Sequence, residues 1–137
     1  MNDFDFLKNA PTDANLEGYL FPDTYKIRVG DSPETTVKTM LANFDEKLMD
    51  DLRQEIEKQG KTINQIVIMA SLLEKEGKTM ADKRLIAGIL WKRLKIGMRL
   101  QVDATVLYAL GKEFGPVSYN DLKVDSPYNT YKYAGLP

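Results

Sequence analysis

The sequence predicts an α+β fold that is predominantly α, with a small β element near residues 16–29. Three observations carry this expectation. From Val37 onward apolar residues recur at three- and four-residue spacing, the period of an amphipathic helix. Cap-forming residues precede these runs and glycines follow them. Ahead of them, from Leu16 to Val29, β-branched and aromatic residues lack helical spacing and are punctuated by Gly18, Pro22 and Gly30. A chain of 137 residues has the size of one domain and buries roughly two-thirds of its unfolded surface.

The elements follow in order. Residues 1–15 are polar, contain Pro11 and read as a flexible lead-in, which leaves 16–137 as the domain. The segment 16–29 is expected to form a pair of short strands. Ser32-Pro33 supplies an N-cap and a first-turn proline, and Val37, Met40, Leu41, Phe44 and Leu48 continue as an apolar stripe. A second helix carries Leu52 and Ile56 and stops at Gly60. Thr62 and Gln65 have capping-box spacing, so a third helix is expected from Ile63 to about Glu76, ending at Gly77. Its near-continuous apolar surface marks it as central and buried. Thr79 with Asp82 opens a fourth helix, whose Leu85, Ile86, Ile89, Leu90 and Leu94 lead to Gly97. Asp103 is expected to cap a short helix from Ala104 to Leu110, closed by Gly111. A turn at Pro116, a helical turn near Asp121 and a tyrosine-rich tail complete the chain.

Composition narrows the chemistry. The chain has no Cys and no His, which excludes His- or Cys-built zinc sites, Ser-His-Asp triads, thiol nucleophiles and iron–sulfur ligation. No cofactor is expected. The net charge of −1 gives no global field for a polyanion, and no nucleic-acid partner is expected despite the basic cluster Lys92, Arg93, Lys95 and Arg99. No apolar run is long enough to span a bilayer, and the first residues lack the basic and apolar regions of a signal peptide. The chain is expected to be soluble, and to be a piece of a longer protein because Pro137 falls in a loop-like segment.

Among the remaining acid/base groups, a carboxylate in apolar surroundings is the usual route to an acid that works near neutral pH. Projected at about 100° per residue from Ile63, residues Ile66, Val67 and Ala70 fall within about 60°, and Glu74 within about 20°. Glu74 is therefore centred on an apolar stripe, where desolvation would keep its carboxyl protonated. Glu76 projects near Gln65 at the helix edge. A structural alternative for Glu74 is pairing with a nearby Arg or Lys at the helix end.

Several runs then carry a resemblance. Leu16-Glu17-Gly18-Tyr19-Leu20-Phe21-Pro22-Asp23-Thr24-Tyr25, Ala70-Ser71-Leu72-Leu73-Glu74-Lys75-Glu76, Ala87-Gly88-Ile89-Leu90 with Arg93-Leu94-Lys95-Ile96-Gly97-Met98, Leu100-Gln101-Val102-Asp103-Ala104-Thr105-Val106, and Ser126-Pro127-Tyr128-Asn129-Thr130-Tyr131 with Gly135-Leu136-Pro137 resemble the YceG-like family in collinear order. The resemblance implies a lysozyme-like helical core that cleaves the MurNAc-β-1,4-GlcNAc bond of peptidoglycan without water. The product would carry a 1,6-anhydroMurNAc end, and the activity would terminate growing strands.

It also implies Glu74 as the single catalytic acid and then base. Glycan strands would be the substrate and peptidoglycan synthases the partners. A membrane helix and a small N-terminal domain, absent here, would place the full-length protein on the extracytoplasmic face of the cytoplasmic membrane. The family continues past Pro137, so the domain is expected to be C-terminally truncated.

Tyr128, Tyr131 and Tyr133 with Asn129 suit a sugar cleft, since aromatic faces pack on sugar C–H faces while amides and hydroxyls bond sugar oxygens. Gln101, Asp103 and Glu17 fall in family blocks and join them as candidate substrate-binding residues. Structural alternatives are tyrosines that anchor the tail, Asp103 as an N-cap and Glu17 as a tie between the strand segment and the core. Gly77 stands where the family commonly has Thr, Lys92 where Asn is frequent, and Ala104 where Pro is common. A non-catalytic peptidoglycan-binding module is the competing function.

Overall fold

A computed structural model describes residues 4–8 and 15–137. Helices α1 (Pro33–Lys47), α2 (Asp50–Lys58), α3 (Ile63–Glu76), α4 (Met80–Lys95) and α5 (Asp103–Ala109) follow one another, with 3₁₀ turns at Asp5–Leu7 and Asp121–Lys123. Among the described residues there is no β-strand, and no helix is long and apolar enough to cross a membrane. The chain divides into two compact units, Met1–Val67 and Ile68–Pro137.

The first unit is built on Phe6, Tyr19, Leu41, Leu48 and Ile56. Phe6 is only 1% exposed, with the rings of Phe44 and Tyr19 at 4.9 and 5.8 Å between centroids. The expected flexible lead-in is thus corrected at residues 4–8, which an aromatic anchor holds in this core. Residues 1–3 and 9–14 of that lead-in lie outside the described residues.

The β element expected at 16–29 is also absent. Leu16–Tyr19 forms a turn closed by the Tyr19 N–H to Leu16 carbonyl bond at 3.1 Å. Gly18 sits there at φ +85°, and a Cβ at this position would lie 2.8 Å from Val67 Cγ1, so both backbone angle and close approach require glycine. From Phe21 to Val29 the chain makes no ladder. Side chains hold it instead: Asn43 Nδ2 donates to Asp23 Oδ2 at 3.1 Å and to the Tyr25 hydroxyl at 2.9 Å, and that hydroxyl donates to the Phe21 carbonyl at 2.6 Å. β-Branched residues favour a pleated surface only when a neighbouring strand provides one, and here Ile27 and Val29 stay exposed.

The helix starts are those that local chemistry predicts. Ser32 accepts the Thr35 N–H at 3.2 Å with Pro33 in the first turn. Thr62 and Gln65 exchange two bonds at 3.0 and 3.2 Å, and Thr79 and Asp82 form the second capping box. The start of α5 differs. Its N-cap is Val102, without a side-chain cap, so Asp103 is the first helical residue and its carboxylate is not used for capping.

The second unit is built on Met69, Leu72, Leu90, Leu100 and Val102, with Leu73, Ile86, Leu94 and Leu136 packed against them. Helix α4 points Ile86, Leu90 and Leu94 inward while Leu85 and Ile89 are exposed. Helix α3 is not buried throughout, as its periodicity had predicted. Ile63, Ile66 and Val67 pack in the first core, Met69, Leu72 and Leu73 in the second, and Ala70 and Ser71 are exposed.

Candidate active site

Glu74 lies in the last turn of α3, and its side chain is exposed. The expected apolar pocket around it is therefore not found. The stripe through Ile63 and Val67 is real, but its packed part ends at Val67; Ala70 and Glu74 continue it into solvent. Among the described residues no Arg or Lys forms an ion pair with Glu74, so the helix-end pairing is not found either.

A second group of candidates is assembled by two loops that are stitched together. The Gln101 N–H donates to the Thr130 carbonyl at 3.1 Å, and the Val102 N–H to Thr130 Oγ1 at 3.0 Å. Thr130 Oγ1 lies 2.9 Å from Thr105 Oγ1, which donates to the Val102 carbonyl at 2.8 Å. Both threonines are buried, so this polar knot is satisfied internally. Two members of the basic cluster reinforce it: Arg93 donates to the Leu100 carbonyl, and Arg99 to the Tyr131 carbonyl at 3.2 Å. Those two cations are structural ties.

The knot brings Gln101, Asp103 and Tyr131 to one rim. The Tyr131 hydroxyl donates to Asp103 Oδ1 at 2.5 Å. Partial burial, then the hydrogen bond and charge of Asp103, and then the charge of Glu76 push the Tyr131 phenol up to about 12, while Arg93 acts in the opposite sense. Glu76 thus belongs to the electrostatic neighbourhood of this rim. Sequence projection from Ile63 had left it aside; projection from the core residue Met69, seven positions earlier, places it within about 20° of that face.

Gln101 is the one non-glycine residue with positive φ among the described residues, at 54°. That left-handed conformation costs a side-chain-bearing residue about 1–2 kcal/mol. Gln101 is exposed between Leu100, which is fully buried, and the nearly buried Val102.

Other candidates are placed differently. Asn129 is fully buried; its amide donates to the carbonyls of Leu122 at 3.0 Å and Val124 at 2.8 Å, and its Oδ1 accepts the Tyr131 N–H at 3.1 Å. This corrects the expectation of a sugar contact, because the amide faces inward and organises the tail. Tyr128 is 41% exposed and packs edge-on against Tyr108 at 4.9 Å. The Tyr133 hydroxyl donates to Asp125 at 2.6 Å. Glu17 belongs to the first unit, in the Leu16–Tyr19 turn, where its N–H donates to Asn15 Oδ1 at 2.9 Å.

The YceG-like family profile matches residues 2–137. The chain belongs to the YceG-like family. This YceG-like chain is similar to an endolytic murein transglycosylase of Bacillus subtilis (strain 168), 44% identical over 122 residues that cover 88% of the chain and 34% of the relative. It is also similar to the protein of that name from Streptococcus pneumoniae serotype 2 (strain D39 / NCTC 7466), 39% identical over 135 residues, covering 95% of the chain and 24% of the relative. The crystal structure of a yceG-like protein from Listeria monocytogenes matches 89% of the chain and 40% of its own length, with a TM-score of 0.81 and 44% identity. The YceG-like chain therefore spans about a third and a quarter of the two curated relatives.

Proposed function

We propose that this YceG-like chain carries the catalytic core of an endolytic murein transglycosylase, with Glu74 as the acid and then the base. The supporting observation is its 44% identity over most of its length to a relative of that name. A protonated Glu74 donates to the glycosidic oxygen between MurNAc and GlcNAc, and the C1–O bond breaks. The resulting carboxylate takes the proton from the C6 hydroxyl of the same MurNAc, whose oxygen closes on C1. The products are a free 4-hydroxyl on GlcNAc and a 1,6-anhydroMurNAc end, and no water is consumed. One carboxylate suffices because the substrate supplies the nucleophile, unlike hydrolases that need two.

Glu74 is exposed, and in this reading the substrate itself completes the site. A glycan strand docked over the last turn of α3 excludes water from that carboxylate. Gln101, Asp103, Tyr131 and Tyr128 supply the polar and aromatic contacts that hold it. In the whole protein this activity terminates growing strands beside the synthases, on the extracytoplasmic face of the membrane.

Glu74→Gln keeps the shape and removes the proton relay. Digestion of purified glycan strands should slow by a factor of about 100 or more, the span usual for loss of a general acid–base group. Retained formation of anhydro ends would overturn the assignment of Glu74. Strand binding without any cleavage by the unmodified protein would favour the non-catalytic binding module.

A further inference from the structure

We propose that Gln101 determines specificity by pairing its side-chain carboxamide with the 2-acetamido group of a murein sugar. The proposal rests on the transglycosylase reading and adds the group on the substrate that the site reads.

Three observations converge on Gln101. First, its backbone is held at φ 54° by buried surroundings: Leu100 on one side, Val102 on the other, and the bond from its own N–H to Thr130. Glycine adopts this conformation without steric cost, whereas a residue with a Cβ does not. Second, its exposed carboxamide makes no hydrogen bond to any described group, so no internal contact accounts for a glutamine here. Strain held in place around an unused polar group is the pattern of a binding position. Third, the position shares a rim with the Tyr131–Asp103 pair, in which the phenol spends its proton on Asp103 and keeps a lone pair for a sugar hydroxyl.

The chemistry selects the partner. A primary carboxamide presents an N–H donor and a C=O acceptor side by side in one plane. The acetamido group of each murein sugar is a trans amide whose N–H and C=O point in opposite directions, so Gln101 pairs with one of them, its amide N–H donating to the acetamido C=O. A de-N-acetylated sugar offers an ammonium group at the same carbon, with no acceptor for the Gln101 amide. The site should therefore distinguish these two classes of strand.

The test uses Gln101→Gly, which relieves the backbone and removes the carboxamide. Thermal melting should give a Tm equal to or above that of the unmodified protein. Cleavage of N-acetylated glycan strands should fall roughly tenfold or more, the effect of losing a paired polar contact, while cleavage of de-N-acetylated strands should hardly change. The preference for acetylated strands should thus narrow. A preference left intact, or a lowered Tm with activity falling equally on both strands, would overturn the proposal.

Binding separates this idea from the assignment of Glu74. Calorimetry with N-acetylglucosamine oligomers should show affinity kept in Glu74→Gln and lost in Gln101→Gly. If cleavage survives Glu74→Gln, the catalytic assignment fails, yet the binding difference at Gln101 still stands or falls separately. Equal oligomer affinity for Gln101→Gly and the unmodified protein contradicts the proposal in every case.

Discussion

Asn129 and Tyr131 are two residues apart in the tail and do opposite things. Asn129 is inside, bonded to two backbone carbonyls and one N–H, so Asn129→Ala should leave the carbonyls of Leu122 and Val124 without those partners. The expected loss is about 2–4 kcal/mol in chemical denaturation. An unchanged midpoint would show that the amide does not hold the tail. Tyr131 instead reaches the rim, and its phenol is raised from 10.0 to about 12 chiefly by burial and then by Asp103. The fold prefers the neutral phenol, so this contribution to stability is complete below about pH 10 and is lost as pH rises through about 12. Tyr131→Phe should flatten that alkaline part of a Tm-versus-pH profile; an identical decline would place its cause elsewhere. Sequence brought both residues forward as sugar contacts because an amide among tyrosines has the right composition. Composition does not say which way an amide turns, and in Asn129 the buried backbone carbonyls decide it. Asp103 shows the reverse: its spacing read as a cap, but Val102 takes the cap position and leaves the carboxylate to Tyr131.

At the scale of elements, what is local was legible. The capping boxes at Thr62–Gln65 and Thr79–Asp82 and the Ser32-Pro33 start depend on residues three apart, and all form as their spacing predicts. What depends on distant partners was not. The 16–29 segment has the residue types of a strand but no neighbouring strand, so the Tyr25 hydroxyl bonds to the Phe21 carbonyl, and Asn43 of α1 bonds to both Asp23 and Tyr25 instead. Helix α4 has apolar residues on more than one face, and only packing shows that Ile86 and Leu90 point in while Leu85 and Ile89 point out. The turn at Gly18 carries the sharpest element-level expectation. Gly18→Ala must accept φ +85° and a 2.8 Å approach to Val67 Cγ1, which should cost about 1–3 kcal/mol. Pairing it with Val67→Ala should recover the steric part and not the backbone part. Thermal melts of the single and double variants measure both; a fully stable Gly18→Ala would refute the turn as described.

For the molecule as a whole, the division at Val67/Ile68 falls inside a continuous helix, and no break in periodicity announces it. An apolar surface that serves two cores reads in sequence as one buried helix, and that is why Glu74 was expected in a pocket and is found exposed. Glu74 itself, the rim residues Gln101, Asp103 and Tyr131, and the neighbouring Glu76 all belong to the second unit, drawn from α3, the loop before α5, the first residue of α5 and the tail. In the proposed site Glu76 joins the electrostatic neighbourhood of Tyr131, while Asn129 is buried and bonded inward. We propose that the substrate's own hydroxyl, and not water, displaces the leaving sugar. Digesting glycan strands in ¹⁸O-labelled water and weighing the products by mass spectrometry tests this directly. Intramolecular closure should give MurNAc ends lighter by one water than hydrolytic ends and free of label; reducing MurNAc ends that carry ¹⁸O would contradict it.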